Sequence, residues 1–209
     1  MEPKWIEFEY IDACRSLPTN LTFIGKVKSL DRKLVINLVD RYGFQAHQLL
    51  ADVGIAPQLF YCGLLYGKPD IRNAGSRAED SLETYGLYID QILMVVMEHT
   101  EGDTLGDAPT LPEDARDQTA TAIQKLHDAQ LVFGDLRARN ITVSGNKVIL
   151  IDFDWAGEAG KVRYPRNLSG SVVWPEDARL LEMKPALVAH DLFMLDQLNQ
   201  FFTRRRVPR

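Results

Sequence analysis

A tight hairpin in the second half of the chain constrains the fold more than any other feature. Two apolar, β-branched runs, Ile141–Val143 and Lys147–Ile151, flank the dipeptide Gly145-Asn146. A two-residue connection of this kind predicts an antiparallel strand pair in which Ser144 lies opposite Lys147. The chain therefore has at least one rigid β-element whose register can be read directly from the sequence.

Polar side chains gather at the open end of this hairpin. In the same register Asn140 faces Ile151, so Asn140 and Asp152 leave the paired strands as diagonal neighbours, where strands lie ~4.8 Å apart. An amide oxygen and a carboxylate so placed suit one Mg²⁺ and leave room for phosphate oxygens. Asp135, on the entering loop, would accept a hydroxyl proton, and Arg137 adds a positive charge suited to phosphate. Each residue taken singly is better explained as a loop cap, but the four together favour a phosphotransferase site.

The rest of the chain shows a mixed pattern of strands and helices. The runs Leu21–Val27 and Lys33–Val39 predict a second hairpin, and a helix is predicted from Gly43 to Val53. Gly67 to Glu83 reads as an exposed loop. Further strands are predicted at Gln58–Cys62, Gln91–Met97 and Val132-Phe133, and a further helix near Leu187–Phe202. An amphipathic helix is predicted at Glu113–Ala129, with one apolar stripe formed by Ala115, Thr119, Ala122, Ile123 and Leu126.

The composition narrows the class of protein. With 209 residues, 45% of them hydrophobic and 25% charged, the chain can bury a core. The net charge of -5 disfavours nucleic-acid binding, except through the basic tail Arg204, Arg205, Arg206 and Arg209, for which a solvated tail is the simpler interpretation. Two cysteines without metal-ligand spacing indicate neither a disulfide framework nor a zinc site. No stretch approaches a membrane span, so we expect an intracellular protein, cytoplasmic or nuclear.

The segment from Leu131 to Gly157 resembles the catalytic and metal-binding loops of the protein-kinase-like superfamily. The match lies in G-D-L-R-x-x-N and I-D-F-D, and it most resembles the compact kinase-like proteins abundant in fungi. The resemblance implies that Asp135 is the catalytic base, that Arg137 replaces the usual lysine, and that Asn140 and Asp152 bind the metal of Mg-ATP. Phe133 replaces a histidine, and Asp154 replaces a glycine and adds a third carboxylate.

The implied fold is α+β, a two-lobed protein-kinase-like fold. Residues 1–99 would form a small β-rich N-lobe with one helix. Residues 100–209 would form a truncated, mainly helical C-lobe with the catalytic loop, the metal-binding hairpin, the activation segment and the terminal helix. Such a truncated lobe would offer a large protein substrate little docking surface.

The resemblance extends to both sides of the catalytic loop. Val95 to Gly102 is similar to the last N-lobe strand and the hinge, with Met97 as gatekeeper and the backbone of Glu98 and Thr100 next to adenine; a buried edge strand and a turn would give the same pattern. Downstream, Asp191 would brace the catalytic loop, whereas His127 is expected to be structural. Gly157 to Pro185 would be the activation segment, with Tyr164, Ser169 and Ser171 available for modification, or a simple connecting loop.

The N-terminal half departs from the kinase pattern. Asn37 stands where kinases carry the lysine that holds the α- and β-phosphates, and Gln45 or Gln48 replaces its partner glutamate. Loss of both partners is physically coherent because neither charge is left unpaired. The residues before Leu21 form no glycine-rich loop. Lys26, on the preceding strand, is either a substitute cofactor-binding ammonium or a solvent-facing lysine.

Three functions follow as expectations. The first is a phosphotransferase that moves the γ-phosphate of Mg-ATP to a hydroxyl of a protein or a small molecule. The second is a pseudokinase that binds a nucleotide or acts as a scaffold, because the N-terminal half lacks the lysine, its glutamate and the glycine loop. The third is a different group transfer or a small-molecule kinase on the same scaffold.

Overall fold

The computed structural model describes residues 7–13, 21–28, 32–65, 92–166, 168–175 and 183–203. Within these ranges the protein is mixed α+β, with a β-rich N-terminal part and few helices. They form two compact units, one from the described parts of 1–41 and 58–99 and the other from those of 42–57 and 100–209. Four predicted features lie outside the described residues: the loop from Gly67 to Glu83, the segment Arg15 to Asn20, Cys14 and the basic tail.

An antiparallel five-stranded sheet forms the first unit, in the order β1-β2-β3-β5-β4. The predicted hairpin of β2 and β3 is confirmed, with Ile24 opposite Val35. The edge strand β1 was not predicted, and a bulge between Tyr10 and Asp12 interrupts its register. The strands are β1 (Phe8–Ala13), β2 (Thr22–Val27), β3 (Lys33–Val39), β4 (Leu59–Leu64) and β5 (Leu93–Glu98).

The second unit surrounds a larger apolar core. Its helices are α1 (Phe44–Ala51), α2 (Ala115–Asp128), α3 (Val188–Gln197) and α4 (Asn199–Phe202). Its strands are β6 (Asp103–Thr104), β7 (Leu131–Val132), β8 (Ile141–Ser144), β9 (Lys147–Leu150) and β10 (Gly157–Glu158), arranged as β6-β8-β9 and β10-β7. None of the helices in the described ranges has the length and apolar character needed to cross a membrane.

Helix α2 packs one face on this core. The predicted stripe is confirmed, because Ala115, Thr119, Ala122, Ile123 and Leu126 are all buried. These positions recur at three- and four-residue spacing and so share one side of the helix. The helix is thereby fixed in the core, next to the hairpin that it supports.

The hairpin of β8 and β9 has the predicted register. Ser144 lies opposite Lys147, and Gly145 adopts a left-handed conformation (φ +58°) in the turn. A side chain of α2 holds the hairpin from outside, because Gln118 accepts the backbone N–H of Val148 at 2.8 Å and donates to the Asn146 carbonyl at 3.0 Å. Local strand pairing and one helix side chain thus define this element together.

Helix α1 differs from expectation, because it belongs to the second unit and not to the β-rich N-terminal unit. The backbone N–H of Leu150 donates to Ile55 at 2.8 Å, and that of Gly43 donates to Phe153 at 2.9 Å. Ala46, His47 and Leu50 form its buried face. The helix was predicted to belong with the preceding strands because it follows them in the chain. Its apolar face and the backbone that flanks it instead contact the segment that contains the β8–β9 hairpin. The predicted boundary at residue 99 stays a prediction.

Candidate active site

The loop that follows β7 is held in place by Asp191. The Asp191 carboxylate accepts the backbone N–H of Phe133 at 2.8 Å and of Gly134 at 2.9 Å, and its Oδ2 also lies 3.1 Å from His127 Nε2. The predicted contact of Asp191 with the catalytic loop is present, and the structural role of His127 stays a prediction. Asp191 lies in the first turn of α3, where the helix dipole favours a negative charge.

Gly134 is required by the geometry of this loop. Its φ of +80° lies in the left-handed region, and a Cβ atom there would lie 2.6 Å from the Trp155 carbonyl oxygen. Any other residue would therefore combine backbone strain with a clash. The glycine of the G-D-L motif lets the loop pass directly beside the segment after β9.

The two carboxylate oxygens of Asp135 have different environments. The side chain is buried, and its Oδ2 accepts from Arg137 Nη2 and, at 2.9 Å, from Asn140 Nδ2. The same amide nitrogen lies 2.9 Å from the Asp135 carbonyl. Across the described part of the chain, no donor reaches the buried Oδ1. Asp135 is therefore fixed in orientation through one oxygen while the other can still accept a hydrogen bond.

Opposing effects set the protonation of Asp135. Burial raises the pKa of this carboxyl, and the negative charge of Asp152 raises it further. The hydrogen bond and positive charge of Arg137 lower it, as does the hydrogen bond from Asn140. Asp135, Arg137, Asn140 and Asp152 therefore lie in one electrostatic cluster, and their roles in catalysis and metal binding stay predictions.

Asp152 adopts a backbone conformation that is unusual for a residue with a side chain. Its φ is +67°, directly after the last paired residue, where Ile151 N–H donates to the Asn140 carbonyl at 3.0 Å. Desolvation by surrounding atoms raises its pKa, whereas Arg137, the Asp154 backbone N–H and Arg139 lower it. The Asp152 residue is nevertheless exposed to solvent, which screens these charges. Such backbone strain is common at functional sites.

A buried histidine anchors the residue after Asp152. His47 Nε2 lies 2.8 Å from the Pro57 carbonyl and must donate to it, so Nδ1 accepts the Tyr42 hydroxyl at 2.6 Å. The His47 ring stacks on Phe153, with centroids 4.5 Å apart and planes 1° apart. Burial lowers the His47 pKa to about 4, partly offset by the bond to Pro57, so the ring is neutral at pH 7. The sequence pattern alone did not predict this role for His47.

Arg137 lies against two tryptophans that the sequence analysis did not single out. Its guanidinium carbon is 5.7 Å from the Trp155 ring centroid and 5.5 Å from that of Trp174. The two indole rings are themselves 5.7 Å apart. Trp155 directly follows the I-D-F-D motif. An aromatic residue at this position was the sequence signal that could have indicated the contact with Arg137.

The residues of the predicted activation segment differ in their exposure to solvent. Tyr164 is buried, with only 2% of its surface exposed, whereas Ser169 and Ser171 are exposed, with their hydroxyls 2.8 Å apart. A modifying enzyme would reach the two serines without opening the core. Their modification stays a prediction.

The pairing of the strands shows on which face of the sheet each predicted cofactor-binding residue of the first unit lies. The apolar cluster of Val27, Leu34, Ile36 and Val96 marks one face of the sheet. Because strand neighbours alternate, the chain neighbours Lys26, Asn37 and Met97 lie on the other face. Glu98 lies on the cluster side, at the end of β5, and Thr100 belongs to the second unit. Their roles in binding a nucleotide stay predictions.

The side chains at the open end of the hairpin can supply only some of the ligands of a metal ion. The remaining ligands would come from phosphate and water. The described ranges contain no group of three or more His, Cys, Asp or Glu residues that could hold a metal ion. Both bonds of Asn140 to Asp135 use its nitrogen, so its Oδ1 is not committed to them. One amide oxygen and one carboxylate, completed by phosphate and water, match what Mg²⁺ accepts. These two residues are therefore of the kind that could hold part of the ligand set of Mg²⁺.

Comparison with known proteins points to kinases. Residues 70–165 match the family model described as lipopolysaccharide core biosynthesis protein (WaaY). A 3-deoxy-D-manno-octulosonic acid kinase of Haemophilus influenzae is 34% identical over 128 residues, which are 57% of this chain and 51% of that protein. The lipopolysaccharide core heptose(II) kinase WaaY of Escherichia coli is 27% identical over 101 residues, 44% of this chain and 42% of that protein.

A further relative matches a shorter region. A probable bifunctional tRNA threonylcarbamoyladenosine biosynthesis protein of Methanospirillum hungatei is 36% identical over 70 residues, 34% of this chain and 13% of that protein. The chain thus spans about half or less of each of these relatives. These matches support the kinase-like superfamily, whereas the narrower likeness to fungal proteins stays a prediction.

Proposed function

We propose that this protein is a kinase-like phosphotransferase that moves the γ-phosphate of Mg-ATP to a hydroxyl group. The observation that carries the proposal is the state of Asp135, a buried carboxylate fixed through Oδ2 with no donor from the described residues on Oδ1. A substrate hydroxyl would supply the missing donor. The similarity to two sugar kinases supports the same class of reaction.

The roles of the residues follow from their chemistry. Asp135 Oδ1 accepts the hydroxyl hydrogen bond, orients the oxygen for in-line attack, and takes the proton as the new O–P bond forms and the bond to ADP breaks. Arg137 holds Asp135 and supplies positive charge next to it. Asn140 Oδ1 and Asp152 would hold the metal. Mg-ATP supplies the phosphoryl group and neutralises the charge that develops on its oxygens.

A sugar-like small molecule is the acceptor that the relatives favour. The two kinases named above are described as acting on 3-deoxy-D-manno-octulosonic acid and on heptose(II). A sugar hydroxyl would donate to Asp135 Oδ1, next to the positive charge of Arg137. We therefore propose that the first acceptors to test are acidic and neutral sugars, with a generic protein substrate as the comparison.

Transfer of radiolabelled γ-phosphate to these acceptors tests the proposal. Wild type is expected to label a hydroxyl acceptor in the presence of Mg²⁺, and Asp135→Asn to reduce kcat by about 10²–10⁴-fold, the usual contribution of a general base. Asp128→Asn, the same change on an exposed carboxylate of α2, serves as the matched control. A wild-type rate in Asp135→Asn would refute the assignment.

Binding is measured separately by thermal unfolding. Mg-ATP is expected to raise the Tm of wild type and of Asp135→Asn, and not that of Asp152→Ala. If Mg-ATP binds wild type but no acceptor is labelled, the nucleotide-binding scaffold expected from the altered N-terminal half becomes the better account. An equal shift in Asp152→Ala would contradict the metal site.

A further inference from the structure

The Arg137 side chain is largely shielded from solvent. Its side chain is 17% exposed, one face of the guanidinium approaches Trp155, and Trp174 lies at a similar distance. Within the described ranges its buried Nε has no hydrogen-bond partner. The charge is therefore compensated by the Asp135 carboxylate and by the two indole rings.

A lysine would not fit this environment in the same way. A guanidinium is planar and weakly hydrated, so it stacks on aromatic rings and still donates from its edge to a carboxylate. An ammonium is a compact, strongly hydrated charge and would lose more hydration beside the two indoles. The indole rings therefore account for an arginine at the position where the kinase pattern has a lysine.

The rings themselves are fixed by the segment that contains Trp174. The indole N–H of Trp174 donates to the Ser169 carbonyl at 2.9 Å, and Tyr164 contacts both tryptophans, with centroids 6.1 Å from each. Trp174 is buried, with 4% of its surface exposed. The conformation of residues 168–175 thus sets the position of one of the two rings that contact Arg137.

We infer that Trp155 and Trp174 form an aromatic clamp that positions the Arg137 guanidinium against Asp135, so that the ordered segment 168–175 sets the rate of phosphoryl transfer. The inference rests on the proposed function. Both tryptophans are positioning residues, because they contact Arg137 and act through it. The clamp links a loop distant in sequence to the catalytic carboxylate through side chains alone.

Kinetics of Trp174 variants test the clamp. Trp174→Leu is expected to lower kcat about 10-fold, the scale of a desolvated cation–π contact, with the KM for ATP changed by less than about 2-fold. Trp174→Phe, which keeps an aromatic face, is expected to recover most of the rate. Phe202→Leu, a partly buried aromatic of α4, is the matched control for loss of packing and is expected to leave kcat unchanged.

A double-mutant cycle separates positioning from general structural support. In the Arg137→Ala background, Trp174→Leu is expected to change kcat by no more than about 2-fold, because its effect passes through Arg137. Independent, multiplying effects of the two substitutions would overturn the clamp, as would a wild-type kcat in Trp174→Leu. Arg137→Lys is expected to be nearly as slow as Arg137→Ala, and full activity of the lysine variant would also overturn it.

A second readout does not depend on turnover. The Arg137 Nε–H proton resonance, identified by its loss in Arg137→Lys, is expected to be shifted by the ring currents of the indoles and to return toward its ordinary position in Trp174→Leu. If Asp135→Asn is inactive while Trp174→Leu is not, the clamp fails and the proposed function stands. If wild type transfers no phosphate, both fail, and a shifted resonance then shows a contact with a structural role only.

Discussion

Replacement of His47 by phenylalanine tests how helix α1 supports the metal-binding segment. Phenylalanine keeps an aromatic face against Phe153 but removes the donor to the Pro57 carbonyl and the acceptor for the Tyr42 hydroxyl. At pH 7.5 we expect the variant to lose about 1–3 kcal/mol in the free energy of unfolding, because buried polar groups are left unsatisfied.

The pH dependence gives a sharper expectation. The His47 pKa falls from 6.5 to about 4 on folding, so between these values the unfolded chain binds more protons than the folded protein. The stability that neutral His47 contributes is therefore present above pH 6.5 and lost as the pH falls toward 4. Between pH 7.5 and 4.5 the loss from this group alone is about 2.5 kcal/mol. Asp135 has a raised pKa and acts in the opposite direction, but it is present in both proteins and cancels in their difference.

Urea denaturation at a series of pH values measures the effect. The stability of wild type minus that of His47→Phe is expected to fall by about 2.5 kcal/mol as the pH falls from 7.5 to 4.5, and to change sign if the difference at pH 7.5 is smaller than this. Gln45→Ala, on the exposed face of the same helix, is expected to retain the wild-type slope. Parallel curves for wild type and His47→Phe would refute the assignment of His47 as a buried neutral histidine.

Two further substitutions test the catalytic loop through urea denaturation. Asp191→Ala leaves the N–H groups of Phe133 and Gly134 without their acceptor, so we expect a loss of about 3 kcal/mol, and no loss would argue against the brace. Gly134→Ala places a Cβ atom 2.6 Å from the Trp155 carbonyl oxygen and is expected to cost more than about 2 kcal/mol. Gly145→Ala is the matched control, because its φ is also positive but nothing lies within 4 Å, and we expect about 1 kcal/mol. Equal losses in the two alanine variants would show that backbone strain, and not the clash, limits Gly134.

The sequence alone determined the elements whose contacts are local. The hairpin around Gly145 and its register followed from a two-residue turn between apolar runs, and the buried stripe of α2 followed from helical spacing. The cluster of Asp135, Asn140 and Asp152 followed because a hairpin fixes which residues leave its open end together. The contact of Asp191 with the catalytic loop could be predicted only from a family resemblance, because 57 residues separate Asp191 from Gly134.

Tertiary structure decided every contact that depends on packing between distant segments. Helix α1 follows the first strands in the chain, yet its buried face joins the unit that contains the hairpin. The stack of His47 on Phe153 and the contact of Trp174 with Arg137 join residues far apart in sequence, and no periodic pattern encodes such pairs. Periodicity specifies which face of an element is buried, whereas the neighbour that covers this face is set by how the elements fill space together.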